Sequence, residues 1–339
     1  MHQRLGRIII RVGLLSLALF LLVMGGSSSR ALAAEAAKAD KKKISMGTAT
    51  IGGLYYIFGG AWAKILNESL SEVEVNAEST PGSVANAQMI QAGKIAMGFS
   101  QASAAYESYN GLGWAKGTKH PRLRAMVALY PAALTIYSLE SRKLKSLSDL
   151  NGKDVGLGPA GAGVDQFGRN VFEVLGIKPK KIHNLPHEQT AKAVGDGQLD
   201  AAMTVQLAPW PALKDQETSH ALKFISFTAD EIARVRAKYG YYSDSAIPKG
   251  SYKGITEDVP SLGDWNLGIC DANLSEDLVY KLTRATFAGQ KQLLLTHRAA
   301  EYTIPANVKY NTIPLHPGAY RFYKEAGVII PPELAPPIK

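Results

Sequence analysis

ISMGTATIGGLYYIFGGAWAKILN, Ile44 to Asn67, runs from an apolar strand through a small-residue loop into a helix. Ile44 to Met46 is a short apolar strand that leads into a loop of small residues: Gly47, Thr48, Ala49, Thr50, Gly52 and Gly53. A helix starts near Leu54, and Phe58, Trp62, Ile65 and Leu66 recur at i, i+4, i+7 and i+8, the spacing of a buried helical face. Glycines let the backbone approach a ligand, and the first amides of a helix have no internal acceptor. Such a loop is built to hold an anionic or hydrogen-bonding group. Taken alone it fits an ordinary strand-to-helix turn equally well, because short glycine motifs recur by chance.

The loop has a counterpart in KDVGLGPAGAGVDQFGRNVFEVLG, Lys153 to Gly176. A strand from Asp154 to Leu157 meets Gly158, Ala160, Gly161, Ala162 and Gly163, and the helix behind it carries Phe167, Val171, Val174 and Leu175 at the same spacing. AGKIAMGF (Ala92 to Phe99) follows the first unit and DGQLDAAM (Asp196 to Met203) the second, each a helix-ending glycine and then a strand. Two copies of one βα pattern favour two similar α/β lobes with a site between them, where loops at strand ends converge.

The chain has 339 residues, enough for two domains, and its 46% hydrophobic and 20% charged content is ordinary for a globular protein. Arg4, Arg7 and Arg11 precede an apolar run from Val12 to Met24, followed by small residues and Ala31-Leu32-Ala33. This is the pattern of a secretory signal, residues 1–33, with a flexible leader at 34–43 and a periplasmic mature chain. An uncleaved N-terminal anchor is the weaker alternative, since the run is short for a membrane span. Removing four arginines and no acids takes the formal charge from +9 to 34 − 29 = +5. No Lys/Arg stripe or nucleic-acid module is present, so no nucleic-acid partner is expected. Cys270 is the only cysteine, which excludes an internal disulfide, and it reads as a buried strand residue.

In the first lobe, a strand from Val73 to Ala77 ends in Glu78-Ser79-Thr80-Pro81-Gly82-Ser83, and Ser83 opens a helix. Thr80, the Gly82 and Ser83 amides and Asn86 are placed to face a ligand or to cap the helix. The strand from Ile95 to Ser100 delivers Gln101, whose neutral amide both donates and accepts. GTATIGGLYYIFGGAWAKIL, ESTPGSVANAQMIQAGKIAMGFSQ and LHPGAYRFYKEAG, in that order, resemble the TAXI group of TRAP-transporter solute receptors, and the resemblance runs from about Ile44 to Gly327. It implies a type II-like periplasmic-binding-protein fold: two α/β lobes, each a mixed sheet flanked by helices, joined by a hinge. It also implies delivery of a small organic anion, dicarboxylate or amino-acid-like, to a TRAP membrane permease, with no cofactor and membrane contact only through that permease or an uncleaved anchor. Residues 44–136 and 229–339 are assigned to lobe 1 and 137–228 to lobe 2.

Departures from the family pattern bear on the ligand. Gly161-Ala162-Gly163-Val164 stands where the family has Gly-Ser-Gly-Thr, Ser103 where it has an aspartate, and Ala49 where it tends to glycine. Backbone amides remain, but side-chain donors on the second lobe are reduced, and no arginine stands in a motif position to clamp a carboxylate. The candidate ligand residues are Thr48, Thr50, Tyr55, Thr80, Gly82, Ser83, Asn86 and Gln101 from the first lobe, and Gly161, Gly163, Val164, Thr204 and Gln206 from the second. Of Tyr55 and Tyr56, one is expected in the core and the other, preferably Tyr55, as a ligand wall.

His183 and His187 have helical metal-ligand spacing, but Pro186 separates them and no third ligand is near, so no metal is expected. Leu274 to Thr296 reads as one long amphipathic helix, and the tail carrying Pro331, Pro332, Pro336 and Pro337 as loose. No nucleophile–base pair, catalytic carboxylate pair or nucleotide loop is identifiable, so an exported enzyme is a minor alternative. A receptor for an ABC-type importer or a sensor kinase shares the fold and stands as the nearer one.

Overall fold

The computed structural model describes residues 41–337. The signal and most of the leader expected at 1–43 lie outside them. Among the described residues no helix is long and apolar enough to cross a membrane.

The quoted stretch folds as strand β1 (Lys42–Gly47), a loop and helix α1 (Leu54–Ser69). Phe58, Trp62 and Leu66 are fully buried and Ile65 nearly so, the face read from their spacing. Burial of each such side chain contributes about 1.5–3 kcal/mol. The chain continues as β2 (Val73–Glu78), α2 (Ser83–Gln91), β3 (Met97–Gln101), α3 (Ala102–Asn110) and β4 (Leu123–Leu139). The counterpart gives β5 (Asp154–Gly156) and α4 (Gly163–Leu175), then β6 (Lys181–His183), α5 (His187–Gly195), β7 (Ala201–Val205), α6 (Pro211–Ser219) and β8 (Leu222–Ile225). Then come α7 (Ala229–Lys238), β9 (Ser243–Ile247), β10 (Val259–Asp271), α8 (Glu276–Ala288), α9 (Gln290–Thr296) and α10 (Pro317–Glu325).

Ten strands form one mixed sheet whose central path is β2-β1-β3-β10-β4-β7-β5-β6, with β8 on β4 and β9 on β10. It has two halves, each with its own core. Ile44, Phe58, Trp62 and Phe99 belong to one, and Val155, Phe167, Val171 and Met203 to another. β4 and β10 run antiparallel through both halves. In β4 the handover falls at Pro131: Tyr130 packs in the first core and Ala132 in the second. In β10 it falls between Leu262 and Leu267. The β4–β10 register shifts between Asn266 and Leu267 and again between Gly268 and Ile269, irregularities that bend a strand pair.

Three expectations need correction. The return to the first half does not occur at residue 229, because Val235, Tyr242 and Leu262 pack in the second core. The helix expected from Leu274 to Thr296 is two helices broken at Gly289, where a Cβ would lie 2.3 Å from Ile65 Cγ2; the close approach of α1 excludes a larger residue there. The proline-rich tail is docked, with Leu334 2% exposed and its carbonyl accepting the Leu315 amide at 2.9 Å. Cys270 is buried in β10, and burial pushes its thiol pKa up.

Candidate functional site

A cavity of about 30 Å³ lies between the two halves. It sits beyond the C-terminal ends of β3 and β7 and beside the loops after β1 and β5, the crevice in which open α/β sheets place ligands. Leu54, Ser83, Gly163 and His187 each line it and are each the first residue of a helix (α1, α2, α4 and α5). Gln101, the residue before α3, lines it too. None of these five helices is capped by the side chain of its N-cap residue. By contrast α7, α8 and α10, which start elsewhere, are capped by Thr228, Ser275 and His316. The positive ends of five helix dipoles therefore converge on one small volume whose walls hold no carboxylate, lysine or arginine.

Some of these N-termini are satisfied across the gap. Gln206 Oε1 accepts the Leu54 amide at 3.1 Å, and the Gly161 carbonyl accepts the Val84 and Ala85 amides, both at 3.1 Å. Trp210 Nε1 donates to the Gly52 carbonyl at 3.3 Å. Other polar groups are unspent: the buried Gln101 Oε1 and the Tyr130 hydroxyl have no hydrogen-bond partner. Ser83 Oγ accepts the Gln101 amide at 3.0 Å and keeps its own hydrogen for donation.

Of the sequence candidates, Tyr55, Gly82, Ser83, Gln101, Gly163, Val164 and Gln206 come together around this cavity. Tyr55 forms a wall, and its hydroxyl donates to Asn266 Oδ1 at 2.5 Å; Tyr56 is 40% exposed rather than in the core. The other six candidates stand away from the lining. Thr48 Oγ1 donates to the Glu78 carbonyl at 2.7 Å. Thr80 Oγ1 is bound to Asn86 Oδ1 at 2.7 Å and to the Thr48 carbonyl at 3.0 Å. Asn86 Nδ2 reaches the Thr48 and Phe99 carbonyls at 2.9 and 2.8 Å. These three therefore shape the loop that carries Ala49. Gly161 acts through its carbonyl, and the Thr50 and Thr204 hydroxyls are buried without partners.

Tyr130, His187, Ala49, Leu54, Pro81, Ala162 and Val205 also line the cavity, and sequence reasoning had not placed them there. Tyr130 faces Asn266 in the β4–β10 ladder, and its carbonyl accepts Asn266 Nδ2 at 3.0 Å. His187 is 7% exposed, and burial lowers its pKa to about 4, so the imidazole is neutral near pH 7. His183 instead pairs with Asp154 at 2.9 Å. Among the described residues no group of three His, Cys, Asp or Glu is arranged to hold a metal. The sequence marks His187 only as the residue after Pro186 at a helix start; the fold brings its ring to the second loop, 3.3 Å from where a Cβ on Gly158 would lie.

Two of the solved structures that share the fold show the likeness. MatC from Rhodopseudomonas palustris, with bound malate, is 13% identical, aligns over 84% of this chain and 97% of that one, and gives a TM-score of 0.54. PhnD1 from Prochlorococcus marinus, in complex with methylphosphonate, is 12% identical over 77% of this chain and 91% of that one, with a TM-score of 0.52. The architecture, a mixed sheet flanked by helices, is that of the two-lobed periplasmic binding proteins. Residues 46–327 match the NMT1-like family, so the chain belongs to that family of periplasmic solute-binding proteins.

Proposed function

We propose that this protein is an extracytoplasmic solute receptor that closes its two halves around a small organic anion. The observation that carries the reading is the convergence of five helix N-termini, none capped by its own N-cap side chain, on a cavity whose lining holds no Asp, Glu, Lys or Arg. Backbone amides and dipoles bind an anionic head without a counter-ion. The Ser83 and Tyr130 hydroxyls add donors, and Gln101 Oε1 accepts from a hydroxyl or amine of the solute. At about 30 Å³ the volume has room for little more than one or two waters, so a larger solute enters only as the halves part. β4 and β10, with the register shifts near Asn266, are the connection about which they part.

Delivery to a TRAP permease of the TAXI type rests on the three sequence motifs. An ABC-type importer or a sensor kinase uses the same closed form and is the alternative partner. The wall also lacks cysteine and carboxylates, which favours binding without turnover. The test is a thermal-shift screen of the chain from Ala34 on, followed by calorimetry, against mono- and dicarboxylates, amino acids, phosphonates and neutral solutes. A ligand at one hundred times its dissociation constant raises stability by about 2.7 kcal/mol. Stoichiometric binding of one anion class without turnover is the expected outcome. Shifts with neutral solutes only, or product formation, overturn it.

A further inference from the structure

A second cavity, about 980 Å³, opens along the seam where α3 of one half meets α4 of the other. Four aromatic side chains line it: Tyr106, Trp114, Tyr239 and Tyr241. The Tyr241 ring lies 5.4 Å from that of Tyr106 and 5.6 Å from that of Tyr239.

Glu107 of α3 is part of this lining and is 1% exposed. Its carboxylate accepts Asn170 Nδ2 at 3.0 Å, the Trp114 amide at 3.3 Å and the Tyr241 hydroxyl. All three donors are neutral. The cations of the wall are already matched: Lys238 pairs with Glu173 at 2.6 Å and Arg169 with Asp165 at 2.8 Å. Among the described residues no cationic side chain pairs with Glu107 or with Glu333, the remaining carboxylate of the wall. Asn311, 5% exposed and also in the lining, is oriented by Nδ2 donating to the Val308 carbonyl at 2.7 Å. Its Oδ1 is buried and has no hydrogen-bond partner.

We propose that this cavity binds a small organic cation of the ammonium or guanidinium class. A buried carboxylate without a counter-charge is costly, and a cation relieves that cost. The faces of Tyr106, Trp114 and Tyr241 attract the same charge through their quadrupoles, while that of Tyr239 already carries Lys238 Nζ 5.3 Å from its centroid. Glu107 and Asn170 stand on opposite halves, so the occupant spans the seam and favours the closed arrangement. By linkage it raises affinity for the solute in the other cavity.

Calorimetry of the mature chain with choline, agmatine and 3,3-dimethylbutan-1-ol, the uncharged isostere of choline, tests this. At least one cation is expected to bind saturably, and about tenfold or more tighter than the uncharged isostere. Glu107→Gln should weaken cation binding about tenfold or more. If that variant does not fold, Trp114→Leu, checked by circular dichroism, removes an aromatic face and should weaken binding as well. The proposal is overturned if neither cation binds saturably at about 10 mM, if the isostere binds as tightly as the better cation, or if a folded variant binds that cation like the wild type.

Discussion

Gln206 Oε1 accepts the backbone amide of Leu54 at 3.1 Å, joining residues 152 positions apart. The first amide of α1 is thus satisfied by a side chain from the opposite half of the sheet. Gly161 does the same for α2 through its carbonyl. In the proposed receptor, capping of these helices and closure of the halves would be one event, and an entering anion would compete for the same donors or use the amides of α4 and α5.

Gln206→Ala should uncouple α1 from the second half. Exchange of the Leu54 amide is expected to rise about tenfold, equivalent to about 1.4 kcal/mol, with the amides around Trp62 unchanged. Hydrogen-exchange mass spectrometry of that segment is the check. An unaltered Leu54 would mean that the bond does not hold closure.

Gly163 tests the tightness of the closed site. A Cβ there would stand 2.3 Å from Gln101 Oε1 and 2.8 Å from Ser83 Oγ. Gly163→Val therefore displaces two cavity side chains at once. The variant should keep its secondary structure yet lose about tenfold or more in affinity for whichever solute the screen identifies. Unchanged affinity by calorimetry would place the solute elsewhere.

Two buried groups give opposing pH dependences. Burial raises the Asp264 carboxyl from 3.8 to about 7, against the hydrogen bonds from Ser103. The folded chain holds that proton more tightly than the unfolded one, so the contribution is full below about pH 3.8 and lost as pH rises towards 7. Burial lowers His187 from 6.5 to about 4, so its contribution is full above pH 6.5 and lost as pH falls towards 4. Relative to wild type, Asp264→Asn should gain stability from pH 4 to 7, and His187→Gln should gain it below pH 6.5. Each slope is at most about 1.4 kcal/mol per pH unit. Urea midpoints across this range decide, and curves parallel to wild type would remove both assignments.

Leu334→Ala should cost about 2–4 kcal/mol, as for a buried leucine. Leu334 is 2% exposed and its segment bonds to Leu315. A loss below about 0.5 kcal/mol in chemical denaturation, the range of an exposed site, would return the tail to a loose surface strand.

The buried face of α1 and the Phe167 and Val171 side of α4 were legible because helical burial repeats with a local period. The small-residue loops were legible because glycine and helix starts mark close backbone approach. Asn86 and Thr80 show where such reading stops. A polar side chain beside a glycine loop looks the same in sequence whether it meets a solute or, as here, the Thr48 and Phe99 carbonyls.

Two βα units, their apolar faces, the small-residue loops and, through three spaced motifs, a resemblance to solute receptors are all readable along the chain. These follow from spacing along one chain. Tertiary contacts bring Tyr130 and His187 into one cavity, set Gln206 on the first amide of α1 and seat Ile65 against Gly289, where the late helix breaks. Those are contacts between distant segments, and no local pattern encodes the register of β4 against β10 or the closeness of two helices.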